Sequence, residues 1–91
     1  MSARYRRHPG AAERRVGDAL FLAQRDRGSL YRLNPTVAAL WNLLATPVTL
    51  QEAVEVFVQA FPSERRARLA HDVEMMLDDL VEEDLVERFE G

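Results

Sequence analysis

Several residue types and patterns are missing from this 91-residue sequence. It contains no cysteine, which excludes disulfide bonds, thiolate metal sites and cysteine nucleophiles. It has no lysine, and we attribute the use of arginine for all 12 basic residues to a GC-rich genome. No apolar run approaches the roughly 20 residues that a membrane-spanning helix needs, and no apolar stretch follows the N-terminal arginines, as it would in a secretory signal. We therefore expect a cytoplasmic protein with no membrane partner.

The groups typical of catalytic and phosphate-binding sites are also missing. The two histidines, His8 and His71, lie far apart, and neither has another potential metal ligand at a suitable spacing. His71 falls on the polar face of a predicted helix, so we expect it to be exposed. No Gly-rich phosphate loop is present, and the many carboxylates of the last predicted helix lie on an exposed surface, which is unsuited to acid–base catalysis. We expect no enzymatic activity, no cofactor and no metal site.

The composition that remains is typical of one small domain. Hydrophobic residues make up 47% of the chain, which is enough for a core and too many for a disordered protein. The net charge is −3, with arginines concentrated in residues 4–32 and acidic residues concentrated in residues 72–90. We expect an irregular N-terminal arm at residues 1–12 and a single domain at residues 13–91.

Three short strand signals follow the predicted arm. Segments of strand length occupy residues 13–16, 19–24 and 29–33, and the turn segments at residues 17–18 and 26–28 separate them. This arrangement predicts a three-stranded antiparallel meander.

The remainder of the sequence predicts three helices. Asn34 can cap the first helix, with Pro35 at its first position, and Thr49 opens the second with a capping box. Ser63 is the expected cap of a third and longer helix, which extends to about Glu83. The apolar positions at helical spacing are Val37, Leu40, Trp41 and Leu44, then Leu50, Val54, Phe57 and Phe61, then Leu69, Val73, Met76, Leu77 and Leu80.

The order of three strands followed by three helices predicts an α+β fold. A winged helix-turn-helix-like arrangement is a simple way to pack a small three-stranded antiparallel sheet against three helices. A last apolar patch at residues 85–89 is expected to run as an extended tail that packs back on the core.

The junction between the third strand and the first helix identifies a family. Residues 28–41, GSLYRLNPTVAALW, are typical of a short apolar strand that stops at Asn34 and turns directly into an amphipathic helix. This L-N-x-T-x-x-x-x-W junction resembles the PqqD-like family of peptide-recognition domains. Further matches, in order along the chain, are Thr49, Glu52, Phe61, Asp72, Val73 and residues 77–80. The resemblance covers about residues 14–87 and departs from the family at Asp84, where many members have a glycine.

The resemblance implies a peptide-binding domain that is not an enzyme. Members of the family hold the leader segment of a ribosomally synthesised precursor peptide and present it to a modifying enzyme. That enzyme is a radical SAM protein or a leader peptidase, in pathways that include pyrroloquinoline quinone and lasso-peptide synthesis. In the family the leader adds as a strand to the third strand and lies in a groove against the third helix. With a helical projection of the third helix, the implied peptide-binding residues are Leu30, Tyr31, Arg32, Leu33, Arg65, Arg68, Asp72, Met75, Met76 and Asp79.

The residues themselves are compatible with this mechanism and leave structural alternatives open. A strand at the end of a meander has one free edge, whose N–H and C=O groups can pair with an extended peptide. Methionine suits a surface that fits flexible apolar anchors, but Met75 and Met76 could equally be core residues, as could Tyr31 and Leu33. A free edge also permits strand-paired or domain-swapped homodimers.

A winged-helix regulator that binds DNA is the main alternative. Such a protein would need Arg, Lys, Asn or Gln along its recognition helix. Here the third helix carries arginines only in its first turns and is acidic from Asp72 onward, so it would repel phosphate, and we expect no nucleic-acid partner. A purely structural subunit of an enzyme complex is a third interpretation.

Overall fold

A computed structural model describes residues 2–90 of the chain. Its elements are β1 (Ala3–Arg7), β2 (Ala11–Val16), β3 (Ala19–Gln24), β4 (Ser29–Arg32), α1 (Pro35–Leu43), β5 (Val48–Thr49), α2 (Leu50–Ala60), α3 (Arg66–Glu82) and β6 (Val86–Glu90). The strands form two antiparallel sheets with the orders β2-β3-β4 and β5-β1-β6. Together with the three helices they make an α+β fold, and the predicted fold class is confirmed.

The sheet of β2, β3 and β4 is the predicted meander. The central strand places Phe21 opposite Arg14 of β2 on one side and opposite Arg32 of β4 on the other. Gly17 and Gly28 occupy the two turns with φ angles of 61° and 67°, a conformation that glycine adopts at little cost. The strand that the sequence analysis placed third is therefore β4.

The second sheet contradicts the expectation of an irregular arm at residues 1–12. Residues 3–7 form its central strand, β1, which pairs with β5 on one side and with β6 on the other. Three of the five residues of β1 are arginines, and Tyr5 is the buried one. The residues of β1 alone give only a weak indication of a strand. The strand forms mainly by pairing with β6, which lies near the other end of the chain. The extended tail expected at the C-terminal end is β6.

Local capping residues determine the starts of the first two helices, as expected. Asn34 precedes α1, and its side-chain oxygen accepts a hydrogen bond from the backbone N–H of Val37 at 2.8 Å. Thr49 precedes α2, where it forms a complete capping box with Glu52.

The predicted cap of α3 is wrong. Ser63 lies in a turn, in which the N–H of Glu64 donates to the carbonyl of Phe61 at 3.1 Å. The helix begins only at Arg66, and Arg65 precedes it without a side-chain cap. The helix begins after Ser63 because the turn that follows α2 includes this residue.

One hydrophobic core joins both sheets and all three helices. Trp41 belongs to it with 2% of its surface exposed, which confirms it as a core residue. Phe61 departs from the expected buried stripe of the second helix, since it lies just beyond α2 and is 42% exposed. The core residues are Tyr5, Leu22, Leu33, Val37, Leu40, Trp41, Leu44, Val48, Ala53, Val54, Phe57, Val73, Leu77, Leu80, Leu85 and Val86.

Candidate functional site

The edge of β4 is unpaired within the part of the chain that the structure describes. The N–H of Leu33 donates to the carbonyl of Leu20 on β3 at 2.9 Å. Hydrogen-bonded pairs alternate along an antiparallel ladder, so the backbone groups of Tyr31 also point toward β3. Those of Leu30 and Arg32 point the other way. The free edge therefore offers the N–H and C=O groups of Leu30 and Arg32.

The C-terminal half of α3 lies beside this edge. Burial raises the pKa of the Tyr31 hydroxyl, and the nearby carboxylates of Asp79 and then Glu83 raise it further. The guanidinium of Arg27, in the turn before β4, donates to the carbonyl of Glu82 at 3.1 Å. The end of α3 is thus close to the start of β4, and the predicted groove between the two elements has carboxylates on one side.

A small cavity of about 160 Å³ lies where α1, α2 and α3 meet. Its apolar part includes Phe57 and Phe61, whose ring centroids are 6.0 Å apart. The full lining is Thr36, Phe57, Phe61, Glu64, Arg68, Leu69, Asp72 and Met76. Because Asp72 and Met76 also belong to the predicted groove, the cavity extends that groove toward the N-terminal end of α3.

The structure brings most of the predicted site residues on β4 together, with one exception. Leu30 is 64% exposed, Tyr31 is half-buried and Arg32 is exposed. Leu33 lies beyond the strand and is only 7% exposed, so it is a core residue.

The predicted residues of α3 differ in their contacts and in their exposure. Arg68, Asp72 and Met76 line the cavity, and the Arg68 guanidinium approaches the Asp72 carboxylate at 3.9 Å. Met75 is 51% exposed, so the core interpretation is wrong for it. Met76 is half-buried and packs against the core.

Two predicted residues stand apart from these contacts. Asp79 does not line the cavity but lies near Tyr31. Arg65 precedes α3, is exposed, and lies outside the cavity lining.

Several residues at the candidate site were not among those predicted from the sequence. Thr36, Phe61 and Glu64 line the cavity, and Glu83 adds to the acidic side beside Tyr31. The four-residue spacing of Phe57 and Phe61 is visible in the sequence, but it was assigned to the core stripe of the helix. The second ring lies just beyond the end of α2 and is 42% exposed.

Residues 2–90 contain no cluster of three or more His, Asp or Glu side chains that could hold a metal ion. His71 is exposed, as expected. None of the helices within the same residues has the length and apolar character to cross a membrane.

Comparison with known proteins identifies a family and a structural neighbour. The family model described as coenzyme PQQ synthesis protein D (PqqD) matches residues 19–86. The chain is also similar to TbiB1, whose structure was solved in complex with the TbiA(beta) leader peptide. That similarity has a TM-score of 0.80 and 19% sequence identity, and it covers 94% of this chain and 99% of TbiB1. At this identity it shows a shared fold. No curated protein matches the sequence.

Proposed function

Because this chain belongs to the PqqD family, we propose that it binds the leader segment of a ribosomally synthesised precursor peptide and presents it to a modifying enzyme. The observation that carries the proposal is the unpaired edge of β4 beside α3. The leader complex of TbiB1, a protein with the same fold, gives further support. The role is that of a peptide carrier, and the chemistry is left to the partner enzyme.

In the proposed mechanism, the leader adds to β4 as a further strand. Its backbone pairs with the outward N–H and C=O groups of Leu30 and Arg32, which give affinity with little demand on sequence. Every second leader side chain then points into the groove, toward Tyr31 and α3. A disordered leader must be ordered on binding, so we expect affinity on the order of micromolar.

The groove offers different chemistry at its two ends. At the cavity, Met76 and the two phenylalanines suit an apolar leader side chain, because a thioether and aromatic rings adapt to irregular apolar shapes. The acidic side formed by Asp79 and Glu83 suits a basic leader residue. Arg65 and Arg68 suit acidic ones, and Asp72 and Met75 complete the rim of the groove.

The partner enzyme is proposed to be a radical SAM protein or a leader peptidase, as the family resemblance implies. We propose that the complex forms in the cytoplasm, where ribosomes make the precursor. The same free edge could also pair two copies of the chain, and a leader strand would then compete with dimer formation.

Proline at position 30 tests strand addition. Leu30→Pro removes an N–H that points away from β3, so it leaves the internal ladder intact, and proline is tolerated on edge strands. The probe is a fluorescein-labelled peptide made from the leader half of a precursor encoded beside this gene. We expect Leu30→Pro to weaken binding at least tenfold in fluorescence polarisation, whereas Leu30→Ala, which keeps the N–H, weakens it less.

Two results would contradict the proposal. The first is a folded Leu30→Pro variant that binds the leader as tightly as the parent chain. The second is failure to bind the leader together with binding of duplex DNA that weakens steeply with salt, which is typical of phosphate contacts. The second result would favour the winged-helix regulator.

A further inference from the structure

The face of the β2-β3-β4 sheet that points away from α3 is apolar and positively charged. Two cross-strand rows define this outer face. Arg14, Phe21 and Arg32 form the first row, and Ala12, Ala23 and Leu30 form the second. Side chains alternate between the two faces of a sheet. Leu22 and Tyr31 lie between the two rows and point to the core and the groove, so the two rows lie on the outer face.

The two arginines of the outer face have no ion-pair partner among residues 2–90. Neither row contains an acidic residue, although the chain as a whole has a net charge of −3. A shallow cavity of about 400 Å³ lies on this face, with Arg14, Phe21 and Leu30 in its lining. The face is therefore suited to a ligand that is both apolar and acidic.

The orientation of the β4 backbone shows how a peptide strand added to the free edge would reach this face. The two residues that offer their N–H and C=O groups, Leu30 and Arg32, are also the two residues of β4 whose side chains lie on the outer face. Directly opposed residues on neighbouring strands point to the same side of a sheet, with Cβ atoms about 4.5–5.5 Å apart. An added strand must therefore place one side chain beside Leu30 and another beside Arg32.

We infer that the outer face reads the leader peptide through these two positions, in addition to the groove. The inference rests on the proposed function, and it specifies the leader further. The leader carries an apolar residue opposite Leu30 and, with one residue between them, an Asp or Glu opposite Arg32. The carboxylate of this Asp or Glu pairs with the Arg32 guanidinium. The apolar leader residue extends the row of Ala12, Ala23 and Leu30.

A selection experiment tests this pattern with random peptides in place of a natural leader. A library of random 14-residue peptides, prepared by mRNA display, is selected on the immobilised full-length chain. Binders that are lost on Leu30→Pro are kept as edge-dependent binders. We expect them to share an acidic residue two positions from an apolar one.

Charge reversal at two arginines of the same face separates a local contact from general attraction. The library is also selected on Arg32→Glu and on the matched control Arg14→Glu, which makes the same charge change two strands away. Arg32→Glu is expected to select Lys or Arg at the position that was acidic, whereas Arg14→Glu keeps the acidic preference. For one purified binder, exchanging the acidic residue for lysine should weaken binding to the parent chain roughly threefold to tenfold and strengthen binding to Arg32→Glu.

The outcomes distinguish the inference from the function on which it rests. If no binder depends on the edge of β4, both are overturned. If edge-dependent binders show no acidic preference, or keep it in Arg32→Glu, the leader binds but the outer face does not read it. An equal effect of Arg14→Glu also overturns the inference, because it indicates long-range attraction. Thermal unfolding of each variant shows whether it is folded.

Discussion

At the scale of single residues, Asp84 determines how α3 ends. Its φ is 56°, in the left-handed region that glycine favours. The N–H of Asp84 donates to the carbonyl of Val81 at 3.0 Å, and the N–H of Leu85 donates to that of Leu80 at 2.9 Å. These two bonds form a Schellman motif. The helix thus ends with the geometry expected of a glycine at this position, although the family's glycine is replaced by Asp84.

We predict that the stability of variants at position 84 follows backbone strain. Asp84→Gly should be at least as stable as the parent chain, whereas Asp84→Ala should be less stable than Asp84→Gly by about 1 kcal/mol, because alanine pays the steric cost of the left-handed conformation. The ion pair of Asp84 with Arg27 at 3.4 Å is exposed and contributes little. Urea unfolding measures the difference, and equal free energies for the two variants would contradict the assigned helix end.

At the scale of secondary structure, the capping box links β5 to α2. The backbone N–H of Thr49 donates to the Glu52 carboxylate at 2.8 Å, and the Thr49 hydroxyl accepts from the N–H of Glu52 at 3.1 Å. The backbone N–H of Thr49, followed by its side chain, holds the pKa of Glu52 below its usual value. Because that pKa is lowered in the folded state, the stabilisation is present above the usual pKa of Glu and is lost as pH falls through the folded value.

Removal of the Thr49 hydroxyl should change both the free energy of unfolding and the pKa of Glu52. In Thr49→Val we expect the free energy of unfolding to fall by about 1 kcal/mol, the usual value of an N-cap side chain. The pKa of Glu52 should rise only part of the way to its usual value, since the backbone donor remains. An NMR pH titration and urea unfolding test this, with Thr46→Val as control, because Thr46 is exposed. An unchanged pKa of Glu52 would show that the hydroxyl has no influence on it.

Prediction from sequence succeeded where the determinants were local. Asn34, Thr49 and the two turn glycines identified the meander and the starts of α1 and α2. It failed where pairing between distant segments determines the structure, because β1 forms a strand by pairing with β6. Ser63 was taken as a cap although the turn after α2 continues past it.

The same distinction applies to the candidate site. The exposed edge strand was predictable, because it follows from the order of strands in a meander. The direction of its backbone groups depends on the register with β3, and the cavity depends on the meeting of three helices. Neither can be obtained from residue spacing within a single element.

At the scale of the whole molecule, Trp41 connects the two sheets through α1. The Arg7 guanidinium of β1 lies 4.4 Å from the centre of its ring and donates to its carbonyl at 2.7 Å. Its indole N–H donates to the Glu13 carboxylate of β2 at 2.8 Å. Because α1 follows β4 after only two residues, contacts of β1 with α1 also stabilise the position of β4.

We therefore predict that the N-terminal strand is required for folding, contrary to the irregular arm expected from the sequence. Tyr5 is 6% exposed, and truncation of a buried aromatic side chain costs about 3–5 kcal/mol, a large share of the roughly 5–15 kcal/mol that stabilises a domain. Tyr5→Ala should lower the urea midpoint strongly, whereas the exposed neighbour in Arg4→Ala should change it little.

Deletion of residues 2–8 extends the same test to the whole strand. It removes Tyr5, the central strand of one sheet and the Arg7 contact with Trp41 together. The summed loss of stabilising free energy should therefore exceed the free energy of unfolding of the domain. We expect the shortened chain to lose cooperative unfolding, followed by circular dichroism, and with it all binding of the leader probe. Since β1 lies in the other sheet from the proposed edge at β4, a shortened chain that still unfolds cooperatively and binds the probe would show that β2-β3-β4 and the helices fold without it.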